Sequence, residues 1–276
     1  TRTADSGVDG ETKLQIVSDS NRALMVFSDA IGSNAHDIKS ASFTPSLTDL
    51  STVPSSPRRL SNNDRGGPLP EAGLPAAAVS SSGEFAVAWW DAEGNKIHGT
   101  RHDQAGTPQE ESFRIDIEAT SSVDSLALDI YAHPDGDVTV LHPSIPQTHA
   151  NLYATRFSGT PNSASPGVQL TDSNVGSVDP SITPISSSTE GNSTSHLVVS
   201  WNEGMIVKHG RLPVSPSAQA LADAAVLSNT DEPMAPEVAT GADRQAGIGA
   251  VWLRTDGDDL ARFAPISWNG AAICTD

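Results

Sequence analysis

Five apolar runs, each closing on an aromatic or large apolar residue before a turn, recur along this chain. They are Ala23–Phe27, Phe85–Trp89, Val138–Leu141, Leu197–Trp201 and Ile248–Trp252. Their last residues stand at 27, 89, 141, 201 and 252, giving steps of 62, 52, 60 and 51 residues. The runs are apolar without alternation, so each needs cover on both faces. A strand packed between two neighbouring sheets has that cover. A strand-built repeat of this length is the size of a propeller blade.

The surrounding residues repeat too. Inner strands are expected at Leu14–Ser18, Ala76–Ser80, Ser125–Ile130, Ser181–Ile185 and Glu237–Thr240. Turns rich in Gly, Asn and Asp follow them, where such residues supply conformations that branched side chains resist. Third strands alternate in character at Ile38–Phe43, Ile97–His102, Leu152–Phe157, Val207–Leu212 and Leu260–Ala264. Short outer strands are expected near Arg58–Ser61, Ser112–Ile115 and Val168–Leu170. The Ala-rich stretch Gln219–Ala225 reads as a loop turn. The expectation is an all-β chain: one five-bladed β-propeller, a single domain with about four antiparallel strands per blade. The blades fall at approximately 12–62, 74–116, 123–171, 178–229 and 235–276, with residues 1–12 at the closure beside the last blade.

Charge narrows the partners. There are 34 acidic and 16 basic residues among 276, a net charge of −18. Phosphate backbones and anionic membranes need a basic footprint, so neither nucleic acid nor an acidic lipid surface is expected. No apolar stretch is long enough for a membrane span. The lone Cys274 excludes an intrachain disulfide and reads as a core thiol or half of a bridge to further chain. The chain opens at Thr1 without a signal-peptide pattern. It reads as a monomeric, processed or trimmed protein, secreted or at the cell surface.

Units two and three resemble the loose repeat of bacterial secreted β-propellers. That repeat runs Pro-x-apolar, Gly, apolar-apolar-Ala-Trp, Ile, Arg-aromatic, Gly. Unit two carries Pro75, Gly83, Val87-Ala88-Trp89, Ile97, Arg101-His102 and Gly106. Unit three departs with Leu141 for Trp but keeps Leu152, Arg156-Phe157 and Gly159. Units four and five keep Pro180 and Pro236, with Trp201 and Trp252. The resemblance implies the fold; such repeats serve as binding modules, scaffolds and enzymes alike.

Candidate ligand-binding residues come from the repeat register. Two residues past the marker stand Asp29, Asp91 and Glu203 in units one, two and four, against Pro143 and Arg254 in the others. Asp124, Asp179 and Glu237 sit near the starts of inner strands. In a propeller both sets open on one face. Carboxylates gathered there suit a hydroxyl-rich ligand or a hard cation such as calcium. Their plainer role is to end strands and form turns. Trp89, Trp201 and Trp252 recur in register and are expected between blades, while Trp90 and Trp268 are off register and are candidates for an exposed stacking surface or, equally, for packing at the rim. Asp135-Gly136-Asp137 and Asp256-Gly257-Asp258-Asp259 have calcium-turn spacing but read first as hairpin turns. His98 and His102 are four apart on one strand, about 13 Å, too far to share an ion. His142 and His149 flank one loop, with no third zinc ligand in sight. Asn192-Ser193-Thr194 has the glycosylation pattern. Hydrolase nucleophile, zinc-protease and phosphate-loop motifs are absent.

Two functions fit. One is a non-catalytic recognition or scaffold module that binds a glycan or protein on its loop-bearing face. The other is a five-bladed glycoside hydrolase working with paired carboxylates in the central mouth.

Overall fold

The computed structural model describes residues 14–19, 21–32, 35–44, 57–60, 75–91, 96–109, 113–116, 127–144, 149–158, 167–186, 194–204, 206–213, 222–226, 234–243, 247–254 and 260–266. Side chains are described there except at 29–36, 178, 185–186, 194–196 and beyond 213. The described residues form five antiparallel sheets, each made of strands consecutive in the chain. The first holds β1 (Leu14–Ser18), β2 (Ala23–Gly32), β3 (Ala35–Phe43) and β4 (Arg58–Arg59). The second holds β5 (Ala76–Val79), β6 (Phe85–Asp91), β7 (Lys96–His102) and β8 (Phe113–Asp116). The third holds β9 (Asp129–Ala132), β10 (Val138–Ser144), β11 (Asn151–Phe157) and β12 (Val168–Gln169). The fourth holds β13 (Ser177–Ser186), β14 (Thr194–Glu203), β15 (Ile206–Pro213) and β16 (Ala222–Val226). The fifth holds β17 (Met234–Asp243), β18 (Gly247–Arg254) and β19 (Leu260–Ile266). First strands lie side by side in the series β1, β5, β9, β13, β17.

All five marker runs fall on second strands. Two sequence expectations are corrected. The third inner strand begins at Asp129, not Ser125. Ala222–Val226, read as part of a loop turn, is instead the outer strand of the fourth sheet, paired with β15. Ala-rich composition hid it, because an edge strand needs little side-chain bulk. The placement of residues 1–12 lies outside the described residues.

The core sits between sheets, and β6 shows why its sequence is apolar throughout. Every residue of β6 is buried. Phe85, Val87 and Trp89 pack with Leu24, Val26 and Ile38 of the first sheet. Ala86, Ala88 and Trp90 point the other way, into a cluster with Phe113, Ile130, Val138 and Phe157. A period of two sends alternate residues to opposite faces, and here both faces are covered. Leu141, Leu152, Leu197, Val199 and Trp201 form the next cluster, between the third and fourth sheets.

Side chains also stitch the inner strands together. Gln15 Oε1 accepts the Ala77 N–H at 2.7 Å, and Asp129 Oδ2 accepts the Ile182 N–H at 2.9 Å. Each thus satisfies a backbone donor on the first strand of the next sheet, which would otherwise cost a hydrogen bond. The β5–β6 and β9–β10 turns close alike. The Ser80 N–H donates to Glu84 O and that of Gly83 to Ser80 O; the His133 N–H donates to Asp137 O and that of Gly136 to His133 O. Both turns need φ near +85°, held by Gly83 at 83° and Gly136 at 86°. The first sheet's turn is held by Asp19 instead, whose Oδ1 accepts the Asn21 and Arg22 N–H groups. Those two bonds hold its carboxyl below the ordinary value.

Candidate functional site

The ends of β2, β6, β10, β14 and β18 lie beside the starts of the inner strands, at one end of each sheet. Across the second and third strands each marker faces one residue of the third strand. Phe27 faces Lys39, Trp89 faces His98, Leu141 faces Ala154, Trp201 faces Lys208 and Trp252 faces Arg262. The carboxylates at Asp29, Asp91 and Glu203 stand two residues further on, diagonal to Lys39, His98 and Lys208. Opposite charges at diagonal positions on a sheet lie within reach of long side chains. The unit with Ala154 carries Pro143 in place of the acid, and the unit with Arg262 carries Arg254.

Two of these pairs are seen directly. Asp91 is buried, with Oδ2 3.5 Å from His98 Nε2, and His98 stacks on Trp89 at 6.0 Å between ring centres. Glu203 is half-buried and both its oxygens are engaged. Lys208 Nζ donates to Oε1 at 2.5 Å and the Trp201 indole N–H to Oε2 at 3.3 Å. The backbone of Asp29 pairs with Asp37; its side chain lies outside the described residues. Asp37 itself, on the same face, is buried against Arg59 at 2.7 Å.

Asp179 occupies a different setting. It lies on β13 at a register shift opposite Trp201, with φ at +53°. A positive φ is strained for a side chain with a Cβ, although Asp is among the residues that tolerate it. The Asn202 amide donates to its Oδ2 at 3.5 Å. The extra residue of the bulge re-aims the strand at the mouth. Asp129, missed in the sequence because its strand begins later than expected, is the other inner-strand carboxylate with a described side chain. Glu237 is on β17, with its side chain outside the described residues; Asp124 lies wholly outside them.

The expectation of an exposed Trp90 is overturned: its side chain is fully buried. Its off-register position placed it on the second covered face of β6 rather than in solvent. Trp89 and Trp201 are buried as expected. Trp252 and Trp268 have no described side chains, and Cys274 and Asn192 lie outside the described residues. Asp135 and Asp137 form a hairpin turn held by Arg156, at 3.2 and 2.7 Å. His142 is committed to Thr155 Oγ1 at 3.1 Å. Among the described residues no group of three or more His, Cys, Asp or Glu is placed to hold a metal ion. Among the described residues no helix is long and apolar enough to cross a membrane.

No known family model and no curated protein sequence matches the chain. Solved structures do. An endo-arabinase from Bacteroides thetaiotaomicron superposes with a TM-score of 0.51 at 12% identity, over 92% of this chain and 93% of that one. An exo-β-1,3-galactanase from Phanerochaete chrysosporium gives 0.54 at 10% identity, over 95% of this chain and 62% of that one. A lectin from Aleuria aurantia, a six-bladed β-propeller with a fucose recognition mode, gives 0.52 at 11% identity, over 92% of this chain and 74% of that one. At such identities the likeness bears on the fold alone, and it agrees with an all-β chain of the β-propeller type.

Proposed function

We propose that this chain is a single-domain, five-bladed β-propeller that binds a glycan or protein without transforming it, in a secreted or cell-surface setting. Five consecutive sheets support the blade number, and the order of their first strands supports the ring. The observation that carries the non-catalytic reading is the pairing of the mouth's carboxylates. Glu203 is held by Lys208 on the next strand, and Asp91 lies buried beside His98. Acid–base catalysis needs a carboxyl group poised to gain and lose a proton near the working pH. A carboxylate held by Lys208 and the Trp201 indole serves better as a rigid hydrogen-bond acceptor for ligand hydroxyls. We place the ligand on the loop-bearing face, next to Asp29, Asp91 and Glu203, with Asp179 and Glu237 from the inner strands. Asp124 completes that proposal, and calcium is the cation such a mouth would take.

One observation favours the hydrolase. Asp129, Asp179 and Glu237 lie on three successive inner strands. The endo-arabinase and galactanase similarities make a glycosidic bond the reaction to test. A glycan array, followed by a sugar-release assay on each bound glycan with and without calcium, separates the readings. Retention without release supports recognition; release that disappears in Asp179→Asn supports the hydrolase. No retention by wild type, and the same null result for Asp29, Asp91 and Glu203 all replaced by Ala, would leave these residues as strand-end pairs.

A further inference from the structure

On the face opposite the mouth, a cleft of about 220 Å³ opens between the second and third sheets. One wall is the β5–β6 turn and the end of β7, with Glu84, Arg101 and His102. The other is the β9–β10 turn, with His133 and Asp135. Gln109 stands exposed at the rim, and Phe85, Ala86, Ala132 and Val138 supply apolar surface.

The chemistry of the walls selects a ligand class. Arg101 brings positive charge from one side and Glu84 negative charge from the same side. Asp135 and Asp137 face them, both tied to Arg156. An anion would meet the Glu84, Asp135 and Asp137 carboxylates, and a cation would meet the Arg101 guanidinium, with both aspartates already tied to Arg156. His102 and His133 are buried, and burial keeps both neutral near pH 7. Nε2 of His102 lies 3.4 Å from Ser40 Oγ, and Nε2 of His133 lies 2.7 Å from Thr139 Oγ1. With the Arg101 guanidinium, the Gln109 amide and the Glu84 and Asp135 carboxylates, the cleft mixes donors, acceptors and apolar patches, with no metal-binding cluster among the described residues. A hydroxyl both donates and accepts, so a polyol matches such a wall where a single charged group does not. The volume is below the roughly 300–1,000 Å³ of drug-sized pockets.

We propose that this inter-sheet cleft binds a small neutral polyol, about one saccharide ring in size. It is independent of the mouth. The test is calorimetric titration of the whole chain with neutral hexoses and 6-deoxyhexoses, with a hexuronic acid and a hexosamine as charged controls. Gln109→Trp fills the rim and Glu84→Ala removes an acceptor; melting temperature and circular dichroism verify that both fold. At least one neutral sugar should bind wild type, and either substitution should weaken it tenfold or more. Glu84→Gln should recover part of the loss, because an amide keeps an acceptor. No binding by any neutral sugar overturns the cleft, as does stronger binding of a charged control. Binding that survives both substitutions also overturns it, while leaving recognition at the mouth intact.

Discussion

Acid should unfold this protein through three buried imidazoles. His102, His133 and His142 each have a pKa lowered from 6.5 to about 4, with burial the main cause in every case. Near His133 the Arg156 charge adds to that effect, while Asp135 and Asp137 oppose it. The sign follows from which state takes up protons first. Between pH 6.5 and about 4 the unfolded chain protonates these groups and the folded chain does not. Their contribution is complete above pH 6.5, falls as the pH drops, and levels off below about 4. Each imidazole can remove up to about 1.4 kcal/mol per pH unit, or roughly 3 kcal/mol over the window. Three together reach on the order of 10 kcal/mol, comparable with the whole stability of a typical domain. Urea denaturation at pH 8, 7, 6 and 5 measures the slope directly. Stability should be flat from pH 8 to 7 and fall steeply below 6. His142→Gln should flatten the fall by about a third of its slope, since one of three equal terms is removed. Equal stability at pH 7 and 5, or an unchanged slope in the variant, would refute the reasoning.

Other substitutions probe the packing between sheets. Trp201→Ala should cost about 3–5 kcal/mol, the range for large aromatic residues in cores, and Trp90→Ala should cost as much. An unchanged melting temperature for Trp90→Ala would return that residue to the surface. Gly99→Ala is expected to destabilise by about 1–3 kcal/mol or more. A Cβ there would lie 1.9 Å from two ring atoms of Phe113, which is itself stacked on Phe157 at 4.5 Å. A variant that melts with wild type would show that the ring has room to move. Lys208→Met should destabilise by several tenths of a kcal/mol to about 1 kcal/mol, the scale of a cross-strand ion pair, as read from urea midpoints. No change would mean the pair adds nothing to the sheet.

Much of the architecture was legible because second strands are covered on both faces. Continuous apolar runs have few other uses in a chain of turns, so all five markers located their strands. Trp90 was misread for the same physical reason. Register identified one covered face of β6, and the second became visible only when the third sheet was in place. The outer strand Ala222–Val226 was hidden by small residues, and Asp129 by a strand that starts four residues late. The carboxylate pairing did leave a trace. Acids occur two residues past the marker where the third strand offers Lys39, His98 or Lys208, and not where it offers Ala154; the unit with Arg262, which carries Arg254 at that position, breaks the pattern. Reading that trace requires the cross-strand register. The cleft left none, since its walls come from turns of two different sheets and no local pattern joins Glu84 to Asp135.

The central claim is recognition without chemistry. The most direct test is mass spectrometry of a glycan captured on the protein, recovered after prolonged incubation at neutral pH. The recovered glycan should be intact, and binding should weaken in Glu203→Ala. A glycan returned in fragments by wild type, but whole by Asp179→Asn, would contradict it and make the chain a glycoside hydrolase.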